Sequence, residues 1–407
     1  MAKQYNKPEM IQKNPALVLG MFETGLAVGR SLGRNGIKVY GLDFNKDIGF
    51  YSKYIKGEIC PHPINEEKRF IEFLVSFGKN IGVKPVLFIT SDDYLNSVSK
   101  NVEYLDRYFY INLPDNSLLK QITNKYKQYQ LAEKNLIPVP YTFQPDSKKD
   151  IDLIVNKKLF PYFIKALDVT LWRKVFGGTK KGFIVKNEEE LRKVLSEIIS
   201  KGIKVIVQEV ISGEDTNHFK YCTYISKRGK PILHFTLQKI RQYPIHFGVG
   251  SCVKSIENKE LEKLGEKFFK YIGFTGVGSA EFKLDNKDGK FKLIELNPRY
   301  WQQNSLAEKC GMNFPINQYQ DSIGEKLKES RNFKNGIKWV NIYMDFSSYL
   351  SYRKEKTLKF FNWLRSLSGQ KIFSDFTWDD IKPALYEIRF GLKIFKIPIF
   401  IIKRIIK

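Results

Sequence analysis

Two short apolar segments on either side of a polar turn constrain this fold more than any other stretch of the chain. The segments read GSAEFKL and KFKLIELN, and the sequence DNKDG joins them. Alternating apolar residues bounded by Asp, Asn and Gly predict a β-hairpin with strands at 278–284 and 290–297. Pro298 ends regular pairing of the second strand, and Arg299 follows at once.

The second strand carries charge on an otherwise apolar element. Its side chains alternate between two faces, with Lys292, Ile294 and Leu296 on one and Leu293, Glu295 and Asn297 on the other. If the turn is centred on Asp288, Glu281 of the first strand faces Glu295, and directly opposed Cβ atoms lie roughly 4.5–5.5 Å apart. Two carboxylates at that distance repel each other unless a cation lies between them.

Three interpretations of the pair follow from the residues alone. Lysines can neutralise it, and Lys283 shares the face of Glu281. Water can solvate it without any function. A hard divalent cation can bind it, because such ions prefer carboxylate and amide oxygens, and Asn297 adds an amide oxygen.

Composition narrows the class of protein. The chain has 407 residues, 43% of them hydrophobic, enough for two or three domains with their own cores. Lys and Arg number 68 against 43 Asp and Glu, a formal net charge of +25, which suits anionic partners such as nucleotides or an acidic membrane, or simply gives a lysine-rich surface. No nucleic-acid-binding motif is recognisable, so we expect no nucleic-acid partner. The four cysteines lie far apart and have no metal-ligand spacing, which favours reduced thiols in the cytoplasm.

The N-terminal part shows the alternation of strands and helices that is typical of a parallel α/β domain. Strands are predicted at 16–20, 38–42 and 85–90, and a helix at 26–34. Glycines at 20, 25 and 29 do not make a GxGxxG fingerprint, so a dinucleotide-dependent dehydrogenase is disfavoured. After the extended LIPVP segment at 136–140, a different pattern of strands begins.

The following region predicts a mixed α+β domain. Its predicted elements are strands at 160–166, 183–185, 204–210, 220–226 and 231–239, and helices at 188–200 and 261–272. A Gly/Lys turn at 177–182 precedes the second of these strands.

Five segments in this order resemble the ATP-grasp superfamily, specifically its carboxylate–amine ligase branch, and are similar to D-aspartate ligases. They are FPYFIKA, WRKVFGGTKKGFIV, VIVQEVISGEDTN, KIRQYPIHFGVGS and VGSAEFKLDNKDGKFKLIELNPR. The resemblance covers about residues 120–315. It implies an α/β, Rossmann-like pre-ATP-grasp domain followed by α+β ATP-grasp subdomains that bind ATP between them.

The resemblance assigns roles to individual residues. Lys165 and Lys181, with Lys180 as the alternative to the second, correspond to lysines that bind the ATP phosphates. The Gly/Lys turn corresponds to the mobile loop over the triphosphate, although Trp172, Arg173 and Lys174 depart from its usual form. The adenine-binding strand corresponds to Gln208, Glu209, Val210 and Ile211.

The remaining implied roles concern ribose, metal and phosphoryl group. Glu214 matches the ribose-binding acid, with Asp215 as its rival. Glu281, Glu295 and Asn297 match the Mg²⁺ ligands, Mn²⁺ being an alternative metal. Arg299 matches the catalytic residue that contacts the transferred phosphoryl group, together with Lys181. Arg241 is assigned to a phosphate or a substrate carboxylate, His246 and 248–251 to a substrate-side loop, and His218 is interpreted as structural.

The implied activity is amide formation from small-molecule carboxylate and amine substrates. ATP converts the carboxylate into an acyl phosphate, and the amine displaces phosphate, so the protein supplies positioning and charge neutralisation. The alternative within the superfamily is an ATP-binding relative without catalysis. A nucleic-acid-binding protein, suggested by net charge alone, ranks lower.

Domain limits are expected at 1–14 for an N-terminal extension, 15–118 for the α/β domain, 119–325 for the ATP-grasp domain and 326–407 for a C-terminal extension. The last 23 residues, LYEIRFGLKIFKIPIFIIKRIIK, are basic and apolar. They fit either a peripheral contact with an anionic membrane or a helix packed on the body. We therefore expect a cytoplasmic protein with membrane association as an option.

Overall fold

A computed structural model describes residues 14–147, 149–167, 172, 175–176, 182–327 and 329–394, with the side chains of 389–394 excepted. Its strands are β1 (Ala16–Leu19), β2 (Val39–Asp43), β3 (Ile55–Ile59), β4 (Val86–Ile89), β5 (Thr142–Phe143), β6 (Tyr162–Ala166), β7 (Gly182–Val185), β8 (Val205–Glu209), β9 (His218–Ile225), β10 (Pro231–Tyr243), β11 (Val249–Ser255), β12 (Gly276–Leu284), β13 (Phe291–Asn297), β14 (Lys338–Val340) and β15 (Lys371–Phe373).

The described helices follow the same chain order. They are α1 (Glu23–Arg34), α2 (Glu67–Asn80), α3 (Asp92–Lys100), α4 (Val102–Leu105), α5 (Asn116–Ile122), α6 (Lys125–Lys134), α7 (Lys149–Asn156), α8 (Glu188–Ser200), α9 (Lys259–Tyr271), α10 (Asn304–Lys309), α11 (Phe314–Ser322), α12 (Ile342–Lys354), α13 (Phe360–Ser366) and α14 (Lys382–Ile394).

The chain forms two compact units. Unit 1 combines Met1–Asn112, Asn313–Leu327 and Ser374–Lys407, and unit 2 combines Leu113–Met312 with Lys328–Phe373. Residues 326–407, expected as one extension, are thus shared between the two units. The boundaries at 118 and 325 remain predictions from the sequence.

Unit 1 contains a parallel four-stranded sheet in the order β3-β2-β1-β4. The three strands predicted here are confirmed, because runs such as ALVL and VLFI are buried along their whole length. Strand β3 was missed. Its sequence, IKGEI, lies at the sheet edge and only its first residue is buried, so it lacks the apolar pattern that the prediction used.

Unit 2 contains two sheets. One has seven strands in the order β13-β12-β9-β10-β11-β14-β15, and the other has four in the order β5-β8-β6-β7. Helix α8 begins and ends where predicted, because the Asn187 side chain accepts from the backbone N–H of Glu190 and buried leucines recur at 191 and 195. The predicted strands β9 and β10 are present, and they pair in antiparallel orientation. A mixed α/β fold is therefore confirmed.

Candidate active site

The hairpin β12–β13 brings two carboxylates together. Glu281 pairs with Glu295 and Ser279 with Asn297 in the antiparallel ladder. Directly opposed residues project from the same face of a sheet, so both carboxylates lie on one side of it. The pairing predicted from the sequence is confirmed.

The β12–β13 ladder contains an irregularity that was not predicted from the sequence. Phe282 pairs with Leu293, and the register shifts between Glu281 and Phe282, so Ile294 is an extra residue in β13. The turn is one residue shorter than expected, because Leu284 pairs with Phe291, and the bulge restores the predicted alignment. The strict alternation assumed for this strand was wrong: Leu293 and Leu296 are both buried.

Helix α6 holds the outer edge of β13. The Gln128 side chain donates to the carbonyl of Leu296 at 2.9 Å and accepts from its N–H at 2.9 Å, as a neighbouring strand would. The Tyr129 hydroxyl donates to the carbonyl of Ile294. These bonds satisfy backbone groups of an edge strand and fix the segment that carries Glu295.

Two buried lysines neutralise Glu281. Lys220 of β9 and Lys239 of β10 place their ammonium groups 3.0 and 3.1 Å from its two carboxylate oxygens. Burial alone would raise the pKa of the Glu281 carboxyl, but the two lysines outweigh it and hold that pKa well below its ordinary value. The idea that lysines neutralise this acid is confirmed, although through Lys220 and Lys239 and not through Lys283.

The same sheet face carries further cationic groups. Lys283 pairs in register with His218, two residues from the Glu281–Lys220 pair. Burial, reinforced by Lys239 and Lys283, lowers the pKa of His218 to about 3, so its imidazole is neutral at physiological pH. The face therefore combines two carboxylates with three lysines, a charge pattern suited to a metal-bound polyanion.

Arg299, Asn297 and Glu295 form a connected series. The Asn297 amide donates to a Glu295 carboxylate oxygen at 3.4 Å, and the Arg299 guanidinium donates to the Asn297 side-chain oxygen at 3.4 Å. Arg299 also donates to the carbonyl of Tyr300 at 3.1 Å. The arginine thus lies beside the acidic group, where the sequence analysis placed it.

Lys165 reaches the same region from β6. Its ammonium group donates to the Tyr129 hydroxyl at 3.1 Å, and that hydroxyl lies 3.5 Å from the Gln208 side-chain oxygen. Burial lowers the pKa of Lys165 to about 8, against the opposing attraction of Glu295. Tyr129 therefore connects the predicted phosphate lysine, the predicted adenine strand and the acidic hairpin.

The predicted adenine strand is β8 and the residues after it. Gln208 is buried and donates to the Thr142 hydroxyl at 2.8 Å. Glu209 is buried, accepts from the backbone N–H of Tyr141 at 3.1 Å and lies 3.9 Å from Lys292. The backbone N–H of Val210 donates to the carbonyl of Pro161, and Ile211 is buried.

The two candidate ribose acids differ in their surroundings. Glu214 is exposed and accepts only a long bond, 3.3 Å, from the Thr216 hydroxyl among those described. Asp215 accepts from the Tyr352 hydroxyl and from the backbone N–H of His246 at 2.9 Å. His246, which has a positive φ of 71°, also contacts Glu355 at 3.2 Å. Asp215 thus anchors a loop, and Glu214 presents an accessible carboxylate.

The assignment of Arg241 to a phosphate or substrate carboxylate does not agree with its surroundings. Its guanidinium is buried and makes two bonds to the Asp345 carboxylate, at 2.7 and 2.9 Å. A third bond reaches the Ser366 hydroxyl at 2.5 Å. Register shifts on either side of Arg241 separate it from Lys239, which faces Glu281 instead.

Several predicted site residues lie outside the described residues. They are Lys180, Lys181, Arg173, Lys174 and the glycines 177–178. Trp172 is described and buried against Phe176 and Phe183.

The described side chains fit a hard divalent cation bound together with phosphate. Two carboxylates and one amide supply oxygen donors on a single sheet face. Among the described residues, no group of three or more His, Cys, Asp and Glu side chains could hold a metal ion on its own. A cation held by Glu281, Glu295 and Asn297 would therefore complete its coordination with phosphate or water oxygens, as Mg²⁺ commonly does.

Sequence reasoning missed Lys220, Lys239 and Tyr129. Lys220 had a detectable signal, because it is the one charged residue in the strand HFKYCTYI, which is buried throughout. Lys239 ends the predicted strand at a bulge, and Tyr129 lies on a helix of ordinary composition. Neither position carries a pattern that separates it from a core or surface residue.

Comparisons with known proteins agree with this geometry. A family model described as "Carbamoyl-phosphate synthase L chain, ATP binding domain" matches residues 237–330. The chain is 25% identical over 288 residues to the D-aspartate ligase of Enterococcus faecium, covering 68% of each chain.

Two solved structures share the fold at low sequence identity. The 2-oxoglutarate carboxylase biotin carboxylase domain of Hydrogenobacter thermophilus, in complex with MgADP, ADP and bicarbonate, gives a TM-score of 0.61 at 17% identity, covering 79% of this chain and 73% of that one. The L-amino acid ligase of Bacillus licheniformis gives 0.58 at 16% identity, covering 77% and 74%. These two structures show a shared fold, and the family model and the D-aspartate ligase show which proteins the sequence is similar to.

Proposed function

We propose that this protein is an ATP- and Mg²⁺-dependent carboxylate–amine ligase that joins small molecules through an amide bond. The observation that carries the proposal is the pairing of Glu281 with Glu295 on a sheet face that also holds buried lysines. The D-aspartate ligase similarity supports the same reaction class.

The reaction needs two steps that balance in atoms and charge. An oxygen of the substrate carboxylate attacks the γ-phosphorus of ATP, the bond to the β-phosphate oxygen breaks, and ADP leaves. The amine nitrogen then attacks the acyl carbon, the bond to the phosphate oxygen breaks, and the nitrogen loses a proton. Phosphate leaves far more readily than oxide or hydroxide would, which is why the carboxylate must first be phosphorylated.

The chain's own residues bind and orient the reactants. Glu281, Glu295 and Asn297 would hold the metal, which offsets the repulsion between the carboxylate and the triphosphate. Lys165, Lys181 and Arg299 would bind phosphate oxygens and the transferred group. The strand Gln208–Ile211 would hold adenine, and Glu214, because it is exposed, is preferred over Asp215 for the ribose hydroxyls.

Lys239 is a better candidate than Arg241 for a further phosphate contact. Its ammonium group lies on the Glu281 face, whereas the Arg241 guanidinium is bound to Asp345. With a bound metal, Glu281 would have a second counter-charge, and Lys239 would then be available to bind a phosphate oxygen.

The finer features of the proposal concern setting and metal. We propose a cytoplasmic enzyme that uses Mn²⁺ in place of Mg²⁺ when supplied, and whose N-terminal parallel sheet is the Rossmann-like domain of the superfamily. We also propose that the basic tail makes peripheral contact with an anionic membrane. Its described part exposes two apolar side chains three residues apart on α14, Leu385 (58%) and Ile388 (44%).

Most of the tail, residues 395–407, lies outside the described residues. Within the part of the chain that is described, the structure shows no helix with the length and apolar character needed to cross a bilayer. The contact that we propose for the tail is with the membrane surface.

The test is ADP release by the full chain with ATP and Mg²⁺, screened against panels of carboxylates and amines, with the amide product identified by mass. Glu295→Gln should lower ADP release at least about 100-fold, because a metal ligand is lost. Glu72→Gln, an exposed acid on α2, is the matched control and should leave the rate unchanged. Full activity of Glu295→Gln, or ATP binding without ADP release for every pair of substrates, would overturn the proposal.

A further inference from the structure

Helix α12 exposes a row of large apolar side chains. Ile342, Phe346 and Leu350 are spaced four residues apart, so they share one face of the helix, and they are 38%, 46% and 47% exposed. A different face of the helix is fixed against the sheet, because Asp345 is fully buried and bonded to Arg241. The apolar row therefore points to solvent as a consequence of how the helix is anchored.

Helix α13 continues this surface. Phe360, Phe361 and Leu364 are 46%, 80% and 44% exposed. The two helices join through aromatic contacts, with the Phe346 ring 5.8 Å from that of Trp363 and the Tyr349 ring 5.9 Å from that of Phe360. We call these six exposed residues, Ile342, Phe346, Leu350, Phe360, Phe361 and Leu364, the α12–α13 patch.

Basic residues accompany the patch. The exposed charged side chains of this segment are Arg353, Lys354, Lys356, Lys359 and Arg365, with Glu355 as the one exposed acid described among them. Glu355 contacts His246, and Asp345 is buried with Arg241. A groove of about 520 Å³ is lined by Tyr349, Arg353, Lys356, Leu358, Lys359 and Phe360, so apolar and cationic groups face the same space.

We propose that the α12–α13 patch binds the surface of an anionic lipid membrane. Surface helices that expose Phe and Leu beside Lys and Arg insert the apolar groups at the level of the acyl chains and pair the cations with lipid phosphates. A contiguous row of exposed phenylalanines is uncommon on a protein with no binding partner.

A second copy of the chain suits this surface less well. A two-fold interface through the patch would set each basic rim against its equal in the partner. Like charges brought together in this way repel, whereas anionic lipid headgroups neutralise them. This inference does not depend on the proposed ligase activity.

The experiment is cosedimentation of the full chain with phosphatidylcholine vesicles and with vesicles that also contain phosphatidylglycerol. The apolar variant Leu350→Ser/Phe361→Ser should bind both kinds of vesicle less tightly, and its affinity for the anionic vesicles should fall by roughly tenfold or more. The basic variant Lys356→Gln/Lys359→Gln should bind anionic vesicles with an affinity lowered roughly fivefold for each lysine replaced, and its affinity for phosphatidylcholine vesicles should not change.

Matched controls come from exposed residues elsewhere in unit 2. Leu153→Ser/Tyr271→Ser and Lys193→Gln/Lys263→Gln change the same side-chain classes and the same charge, and should bind as the unaltered chain does. Thermal unfolding of every variant checks that the fold is kept.

A truncation after Ile394 separates the patch from the tail. If removal of 395–407 abolishes vesicle binding while both patch variants bind normally, the patch proposal is overturned and the tail proposal stands. If the chain is a dimer in solution and the patch variants are monomers with unchanged vesicle binding, the patch is a contact between copies and the lipid assignment is wrong.

Discussion

At the scale of single residues, the site depends on charges that are buried together. Glu281 retains its negative charge in the folded chain because two ammonium groups lie within 3.1 Å of its oxygens. Among the described residues, no carboxylate forms an ion pair of this kind with Lys165, and burial lowers its pKa to about 8. The two groups therefore respond differently to pH: Glu281 stays ionised throughout the neutral range, whereas Lys165 titrates at its upper edge.

We predict that ATP binding weakens as the pH rises above about 8. Lys165 must carry its proton to attract a phosphate, so the Kd for ATP should be constant at lower pH and then rise by up to about tenfold per pH unit. Lys165→Arg keeps a charged side chain over this range and should remove the dependence. Isothermal titration calorimetry from pH 7 to 9.5 measures both, and identical pH profiles for the two proteins would contradict the assignment.

The same pKa has a consequence for folding. Its folded value lies below the unfolded value, so the unfolded chain binds more protons between about pH 8 and pH 10. The contribution of Lys165 to the free energy of unfolding is therefore least favourable below pH 8 and improves as the pH rises through this range.

A second prediction concerns Arg241, which forms a buried ion pair. Arg241→Gln leaves the Asp345 carboxylate buried without its cation, so the free energy of unfolding should fall by about 3–5 kcal/mol. The Kd for ATP at a temperature where the variant is folded should change less than threefold. Lys239→Gln should raise the Kd for ATP more than threefold, and it should lower the free energy of unfolding less than Arg241→Gln does, because Lys220 still pairs with Glu281. Urea denaturation with ATP titration of both variants distinguishes them. An ATP affinity lost only in Arg241→Gln would restore the phosphate role.

At the scale of elements, local patterns predicted most strands of the site but not how their edges are satisfied. Alternating apolar residues and a Gly-containing turn were enough to find β12 and β13 and to place Glu281 opposite Glu295. The bulge at Ile294 and the bonds from Gln128 depend on a helix about 165 residues earlier in the chain. No periodicity within a strand encodes a contact of that separation.

The exposed strand β3 and the short strand β14 were not predicted, because each lacks a local sequence pattern. β3 has one buried residue and β14 has three residues in all, so neither offers the apolar repeat on which prediction relies. Lys220 stood out as a lone lysine in a buried strand, but the pairing of Lys220 and Lys239 with Glu281 could not be predicted, for a related reason. Their partners are set by which strands lie beside β12, and strand order is a property of the assembled sheet.

We predict that Gln128→Met loosens the hairpin without touching any proposed ligand. The variant fills the same space but leaves the buried N–H and carbonyl of Leu296 without these bonds, which should cost about 2–4 kcal/mol. Hydrogen exchange of the Leu296 amide should quicken, and more Mg²⁺ should be needed for half-maximal ADP release. Gln121→Met, an exposed glutamine of the neighbouring α5, should change neither quantity.

At the scale of the whole molecule, unit 1 includes two segments from the C-terminal part of the sequence. Its sheet and first helices come from the first 112 residues, but α11 and α14 belong to the same unit. The buried Asp380 carboxylate accepts from Arg30 of α1 at 2.9 Å, from the Ser52 hydroxyl at 2.6 Å and from the backbone N–H of Lys53 at 3.0 Å. The segment around Asp380 is therefore a structural part of unit 1.

The last prediction uses two neighbouring aspartates as an internal comparison. Asp380 and Arg30 are at most 4% exposed, whereas the adjacent pair of Asp379 with Arg34 is 40% and 31% exposed. Asp380→Asn should lower the free energy of unfolding of unit 1 by about 3 kcal/mol or more, since it leaves a buried guanidinium without its counter-charge. Asp379→Asn should cost at most about 1 kcal/mol, because water screens an exposed pair.

Limited proteolysis followed by mass spectrometry shows which of the two units each variant destabilises. In Asp380→Asn, new cleavages should fall within residues 14–112 while the segment 113–312 stays protected, because the lost ion pair belongs to unit 1 alone. Equal sensitivity of the two aspartate variants would show that the C-terminal segment does not stabilise the N-terminal sheet. Cleavage spread evenly over both units would instead show that the units unfold together. The Asp380 ion pair would then contribute to the free energy of unfolding of the whole chain.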